Sequence, residues 1–313
     1  MSTYLTIGEA LTDIVIRKDA PRAELPGGSP MNVAVALGRL GHTSHLLTHI
    51  GDDELGRAIV QHVESSNVSL TPGSVRPGAH TSTAAATIGE GGAASYDFDI
   101  AWDPDPRGLP TKVDAVHTSS IAATLEPGAD TLRTVVASLR ESALISYDPN
   151  ARPTLMGDPS IAREPIEENI ALADIVKASD EDLEWLYETT EIDQAAQSWL
   201  RRGVKLAVIT RGEKGATAFT AQGRFDIPGV RVDVTDTVGA GDTFSAGLLD
   251  ALSRKGLLGA SGREKISTLE GTAIQDILAH AALLASVTVS RAGANPPWTR
   301  EIADRCTLTS TED

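Results

Sequence analysis

The chain has 313 residues, 41% hydrophobic and 22% charged, a composition that supports a large buried core. Its formal net charge of −16 argues against the basic footprint of a nucleic-acid binder, so an anionic ligand needs local help from helix N-termini, a metal ion or a few basic side chains. Cys306 is the single cysteine, no basic region precedes an apolar stretch at the N-terminus, and no uninterrupted apolar run reads as a membrane span, so the expectation is a cytoplasmic protein with no membrane partner.

Short β-branched runs alternate with helical patterns along the chain. "YLTIG" at 4–8 reads as a buried strand. "MNVAVALGRLG" at 31–41 reads as an Ala- and Gly-rich helix stopped by Gly41. "SHLLTHIG" is the next strand and "DELGRAIVQHVESS" an amphipathic helix. "AVHTSS" and "ALISYDP" follow as strands around the helix "ADTLRTVVASLRES". "ADIVKAS" and "KLAVITRG" are strands around the helices "DEDLEWLY" and "DQAAQSWLRRG". This rhythm predicts an α/β fold, a mostly parallel central sheet with helices on both faces, whose ligands sit beyond the C-terminal ends of the strands. Residues 13–29 and 81–102 break the rhythm as extended pieces, the second a hairpin around "GEGG", and predict a small β-rich lid on a single domain spanning 1–313. "SRKGLLGASGREKISTLEG" reads as a surface loop and residues 307–313 as a disordered tail.

One stretch carries chemistry. "VRVDVTDTVGAGDTFSAGLLDAL" starts like a strand and ends like a helix, and the join holds Gly239, Ala240 and Gly241. Backbone N–H groups there can approach a ligand closely, at a helix N-terminus that favours negative charge. No lysine follows the glycines, so this is not a P-loop. Phe244 is too large for the third position of the dinucleotide fingerprint. Asp242 in the first helical turn is either a stabiliser of the helix start or the acceptor of a hydroxyl proton during phosphoryl transfer.

"DTVGAGDTF" resembles the second signature of the ribokinase-like (PfkB) carbohydrate kinases, and "PGGSPMNVAVALGRLG" resembles their first. "HIGDDELG", "SYDPNARP" and "VKASDEDLEWL" fall between them in the family's order, and "GEALTDIV", "YDFDIAW" and "YDPNARP" look most like the fructokinase branch. The resemblance implies an ATP-dependent sugar kinase with D-fructose as first substrate, and 2-keto-3-deoxygluconate or ribose as alternatives. It implies Asp242 as catalytic base and Gly239, Ala240 and Gly241 as the anion hole. It implies Asp13, Gly27, Gly28 and Asn32 as sugar contacts, and Thr210, Gly212 and Gly215 as the nucleotide-side loop. Asp236, Val238, Ser290 and Gly293 match a site for a monovalent cation such as K⁺. The family's Asn-x-x-Glu motif, tied to Mg²⁺, appears as Ser179 and Asp182, and Ser29 stands where ribokinase itself has a lysine. A homodimer formed through the lid is the expected assembly. A kinase-like protein that only binds sugar or nucleotide is the non-enzymatic alternative.

The remaining signals divide two ways. His42, His45 and His49 lack the companion glutamate of a helical metal site and read as hydrogen-bonded or exposed side chains. "DPDP" at 103–106 reads as a rigid turn. Asp52 and Asp53 either cap a helix or meet a metal. Arg152 and Lys177, after strand-like runs, are either surface charges or anion contacts. Tyr96, Phe98 and Trp102 either cover a sugar face or fill a lid or dimer core.

Overall fold

A computed structural model describes residues 1–17, 20–88 and 94–302. In chain order the first elements are β1 (Thr3–Ile7), β2 (Leu11–Arg17), β3 (Ala20–Gly27), α1 (Ser29–Arg39), β4 (Thr43–Leu47), β5 (Ile50–Gly51), α2 (Glu54–Glu64), β6 (Val68–Leu70), β7 (Val75–Arg76), β8 (Thr83–Ile88) and β9 (Ala94–Asp99). Then come β10 (Ala115–Ser119), α3 (Gly128–Leu139), β11 (Leu144–Asp148), α4 (Pro153–Met156), α5 (Pro159–Leu172), β12 (Ile175–Ser179), α6 (Asp180–Tyr187) and α7 (Ile192–Arg201). The last are β13 (Leu206–Thr210), β14 (Ala216–Thr220), β15 (Gly223–Ile227), α8 (Ala240–Arg254), α9 (Gly259–Ile266) and α10 (Gly271–Val289).

Nine strands form one sheet in the order β15-β14-β13-β12-β11-β10-β1-β4-β6. From β6 to β13 every pairing is parallel; β14 runs antiparallel to both of its neighbours. The strands are buried on both sides because the alternation of each strand feeds two cores. Leu5, Val116, Ile145 and Val176 face Leu132, Ile166, Leu183 and Trp199 on α3, α5, α6 and α7. Tyr4, Ala115, Leu144 and Ile175 face Val33, Leu248 and Ile277 on α1, α8 and α10. Strand order reverses between β1 and β10, which opens a crevice at their C-terminal ends.

The expected small β-rich unit is a separate four-stranded sheet, β3-β2-β8-β9. Its boundaries differ slightly from the sequence reading: β2 begins at Leu11, and Ser29 opens α1. Asp13 is in register with Ala84, and Ala84 with Phe98, so these three share one face. The "GEGG" turn and the 307–313 tail lie outside the described residues.

Several expectations need correction. Trp102 is not on the lid: it is 3% exposed, donates its indole N–H to Ala122 O at 3.0 Å and belongs to the main core. The stretch read as a surface loop contains α9, held because Ile266 and Leu257 are buried against α8 and α10; burial overrides the poor helix propensity of its glycines and serine. "VRVDV" pairs with no strand, and Val230 and Val234 stay exposed, so period-two patterning there marks an extended connector. Among the described residues α10 is long and apolar enough, by length and composition, to cross a membrane. It carries Asp276, which pairs with Lys255, and it packs Ile274, Ile277 and Leu278 into the core against α8.

Asp250 ties the helical layer together. It is 1% exposed and accepts hydrogen bonds from His42 Nε2 (2.9 Å), His280 Nε2 (2.6 Å) and Arg254 Nε (2.9 Å). Burial pushes its pKa up, but the bonds from His280 and His42 and the Arg254 charge outweigh burial and hold the carboxyl well below the usual range. Asp250→Asn should therefore cost about 3 kcal/mol in urea unfolding at pH 7. A depressed folded pKa contributes stability that is present above the unfolded value of 3.8 and lost as pH falls through the folded one. The gap between wild type and variant should accordingly narrow below about pH 4.

Candidate active site

The candidate residues gather on the rim formed by the C-terminal ends of the parallel strands. β1 ends at Ile7, followed by Gly8 and Glu9; β10, β11, β12 and β13 end at Ser119, Asp148, Ser179 and Thr210. Helix α8 opens at the same rim. Gly239 is its N-cap with φ 75°, the left-handed region that a side chain disfavours. The first helical bond runs from Thr243 N–H to Gly239 O, which leaves the Gly241 and Asp242 N–H groups without intrahelical acceptors. The Ala240 N–H donates to Thr237 O at 3.2 Å, so the amide expected in the anion hole there is turned into the preceding turn.

Asp242 is 7% exposed and held from two sides. Ser29 Oγ donates to Oδ1 at 2.7 Å across 213 positions of chain, and Asn32 Nδ2 donates to Oδ2 at 2.8 Å. Ser29 is held in turn by Ser119 Oγ at 2.8 Å. Both donors sit in the first turn of α1, whose N-cap is Gly28. The two glycine motifs therefore meet at one site. Asn32, expected as a sugar contact, binds the aspartate itself.

Asp13 lies on β2 with its carboxylate against Gly27, two residues before Ser29. Burial raises its carboxyl to about 6, against the charge of Arg152, which lowers it. A Cβ on Gly27 would lie 2.1 Å from Asp13 Oδ2, so that glycine makes room for the carboxylate. Glu9, which sequence reasoning did not select, is 5% exposed and accepts from Ala122 N–H at 3.3 Å. Burial lifts its carboxyl to about 8, opposed by backbone hydrogen bonds and Arg152. Its signal in the sequence was an acid directly after a strand-ending glycine. Arg152 therefore belongs beside the cleft.

Lys177, on β12, is 5% exposed and paired with Asp148 at 2.9 Å. Thr210 ends β13 with its hydroxyl on Ala178 O at 3.3 Å; Gly212 and Gly215 flank a short 3₁₀ turn beyond it. Ser179 and Asp182 form a capping box for α6. Ser179 Oγ accepts from Asp182 N–H at 3.0 Å, and Asp182 Oδ2 accepts from Ser179 N–H at 2.7 Å. Asp182 Oδ1 also takes Ala151 N–H at 2.7 Å. Asp236 clamps two loops: Oδ1 accepts from Val238 N–H at 3.0 Å and Oδ2 from Gly293 N–H at 2.8 Å. Those two bonds hold its carboxyl below the usual range. Ser290 O accepts from Thr235 Oγ1 at 3.2 Å.

The smaller signals resolve structurally. Asp53 is the N-cap of α2, accepting from Gly56 N–H, and Asp52 accepts from Gly78 N–H. His49 accepts from Asp103 N–H, at the start of the "DPDP" stretch. No group of three or more metal-ligating side chains occurs among the described residues. Tyr96 and Phe98 stack on the small sheet at 6.0 Å. A cavity of about 250 Å³ lies between β9, α4 and α5, lined by Phe98, Ile121, Leu155 and Ile161 but by none of the polar residues above.

A glycine-lined helix mouth lies beside a fixed carboxylate, in the crevice of a doubly wound sheet where ligands of such folds bind. Residues 4–301 match the pfkB family of carbohydrate kinases. A fructokinase from Rhizobium leguminosarum bv. trifolii is 35% identical over 283 residues, covering 87% of this chain and 85% of its own. The crystal structure of a fructokinase with bound ATP from Xylella fastidiosa has a TM-score of 0.84 at 25% identity, covering 98% of this chain and 99% of the other. A fructokinase double mutant from Vibrio cholerae O395, in a fructose, ADP and potassium ion bound form, has a TM-score of 0.78 at 28% identity, covering 94% of each chain. The chain belongs to the pfkB carbohydrate kinase family, and it is a sugar kinase.

Proposed function

We propose that this chain is a fructokinase that transfers the γ-phosphoryl group of MgATP to a primary hydroxyl of D-fructose. The observation that carries the reading is the double grip of Ser29 and Asn32 on Asp242, which aims a carboxylate along the mouth of α8. Asp242 takes the hydroxyl proton; its position matters more than its basicity, since the hydroxyl loses that proton late in a loose transition state. The N–H groups of Gly241 and Asp242 hold the phosphoryl oxygens. Asp13 receives sugar hydroxyls, and the four-stranded sheet acts as a lid that keeps water from competing as acceptor.

The loop of Thr210, Gly212 and Gly215 lies on the nucleotide side. Ser179 and Asp182, at the head of α6, would be the side chains that meet a Mg²⁺ ion accompanying the nucleotide. When bound, it offsets phosphate charge. Asp236 joins the loops of Val238 and Gly293, and together with Ser290 these would be the residues to hold a K⁺ ion, which would steady the approach to α8.

The choice of D-fructose over 2-keto-3-deoxygluconate rests on the fructokinase relatives. Leu25 and Tyr96, exposed on the lid sheet, support a homodimer formed through that surface, and we assign the protein to the cytoplasm, in keeping with its acidic surface and single cysteine. A coupled ADP-release assay over fructose, ribose, glucose and 2-keto-3-deoxygluconate should return the highest kcat/KM for fructose. A higher value for another sugar would replace fructose, and no turnover with any would favour a silent binding protein. Fructose kcat/KM should fall below about pH 6, where Asp13 takes up a proton.

A further inference from the structure

Lys177 stands beneath the glycine loop in a place that ordinary core packing does not explain. It lies in the middle of β12, and its ammonium is all but shut off from solvent. A Cβ on Gly241 would sit only 2.9 Å from Lys177 Nζ, so the missing side chain of that glycine is what opens the ammonium toward the mouth of α8. Lysine carries three N–H donors, yet Asp148 Oδ2 at 2.9 Å is its one hydrogen-bond partner among the described residues. A buried ammonium with donors to spare is costly unless something anionic completes its shell.

The groups around it keep it charged. Burial disfavours the ammonium, but the carboxylates of Asp148, Asp182 and Asp242 outweigh burial and hold its pKa above the ordinary lysine value. Asp148 is itself held by Ser245 Oγ at 3.3 Å, from the second turn of α8, and by Asn150 N–H at 3.1 Å. The ammonium is thereby fixed between the sheet and the helix that carries the anion loop.

We infer that Lys177 is a catalytic residue of this kinase, donating through the gap at Gly241 to an oxygen of the phosphoryl group in transit. The inference rests on the kinase reading above. In the step it serves, the sugar oxygen forms a bond to the γ-phosphorus while the bond from that phosphorus to the β-phosphate oxygen breaks. The electron pair leaves with ADP, and the hydroxyl proton passes to Asp242. Lys177 keeps its proton throughout and supplies a fixed positive charge where negative charge spreads over the phosphoryl oxygens. This chain has Ser179 and Asp182 where the family's Mg²⁺-linked pair stands, both tied into a helix cap, which gives a protein cation at this place more to do.

Lys177→Met tests the assignment, with the double variant Lys177→Met, Asp148→Asn as a control that removes both buried charges. Fructose and ADP binding are read by calorimetry, folding by thermal melting, and turnover by the coupled assay. The expected result is a kcat lowered about 100-fold or more in both variants, with fructose affinity within about threefold of wild type. The double variant should melt near wild type and remain slow. Tightening of ADP by aluminium fluoride in the presence of fructose, present in wild type, should be lost in both variants. Recovery of wild-type kcat in the double variant, or a kcat within about threefold of wild type in Lys177→Met, would overturn the assignment, since the lysine would then serve only to pair Asp148. Absence of turnover in the wild type would instead strike the kinase reading itself.

Discussion

Asp242→Asn should leave a folded protein that binds fructose normally and turns it over about 1,000-fold more slowly, the scale on which a positioned general base acts. The reason for expecting so clean a separation lies in the two donors. Ser29 carries a hydroxyl that can accept as well as donate, so an asparagine at 242 can receive the bond from Asn32 and return one to Ser29. The geometry of α1 against α8 survives and only the proton acceptor is lost. Calorimetry with fructose and the coupled assay read the two properties separately. Turnover close to wild type would end the assignment of Asp242 as base.

Gly27→Ala should raise the KM for fructose about 100-fold with a smaller change in kcat. No Cβ fits at Gly27, because it would lie 2.1 Å from Asp13 Oδ2 and 3.0 Å from its Cγ. Asp13 must swing away, and a misplacement of about 1 Å in a positioning group costs on the order of 100-fold. The same variant leaves the Ser29, Asn32 and Asp242 bonds in place, so it isolates sugar binding from proton transfer. An unchanged KM would mean that Asp13 does not touch the sugar. Together with Asp242→Asn, it divides the cleft into a binding wall and a reacting wall.

Much of this architecture was legible in the residues. The β-branched runs that became β1, β10, β11, β12 and β13 are buried on both faces, so they read as continuous apolar stretches, and helices had to cover them. Gly239, Ala240, Gly241 and Asp242 were readable because a loop entering a helix needs small residues and leaves amides free within one turn of chain. Patterning misled where burial had the final word. "VRVDV" alternates like a strand but finds no neighbour to pair with, and the stretch holding α9 looks like a loop but buries Ile266. Trp102 reads as the third of an alternating aromatic series, yet the chain leaves the lid sheet at Asp99 and inserts the indole into the main core.

The sequence by itself determined the alternating α/β order, the glycine-lined helix mouth and the aspartate beside it, since each depends on backbone conformation and residue periodicity over a few consecutive positions. Only the tertiary structure decided that Ser29 and Asn32 grip Asp242, that Glu9 is buried against Ala122, and that Lys177 lies under Gly241. These meetings join segments separated by tens to hundreds of residues. Their distances are set by how strands stack in the sheet and how α1 and α8 pack on it, and no local stretch of chain encodes that packing.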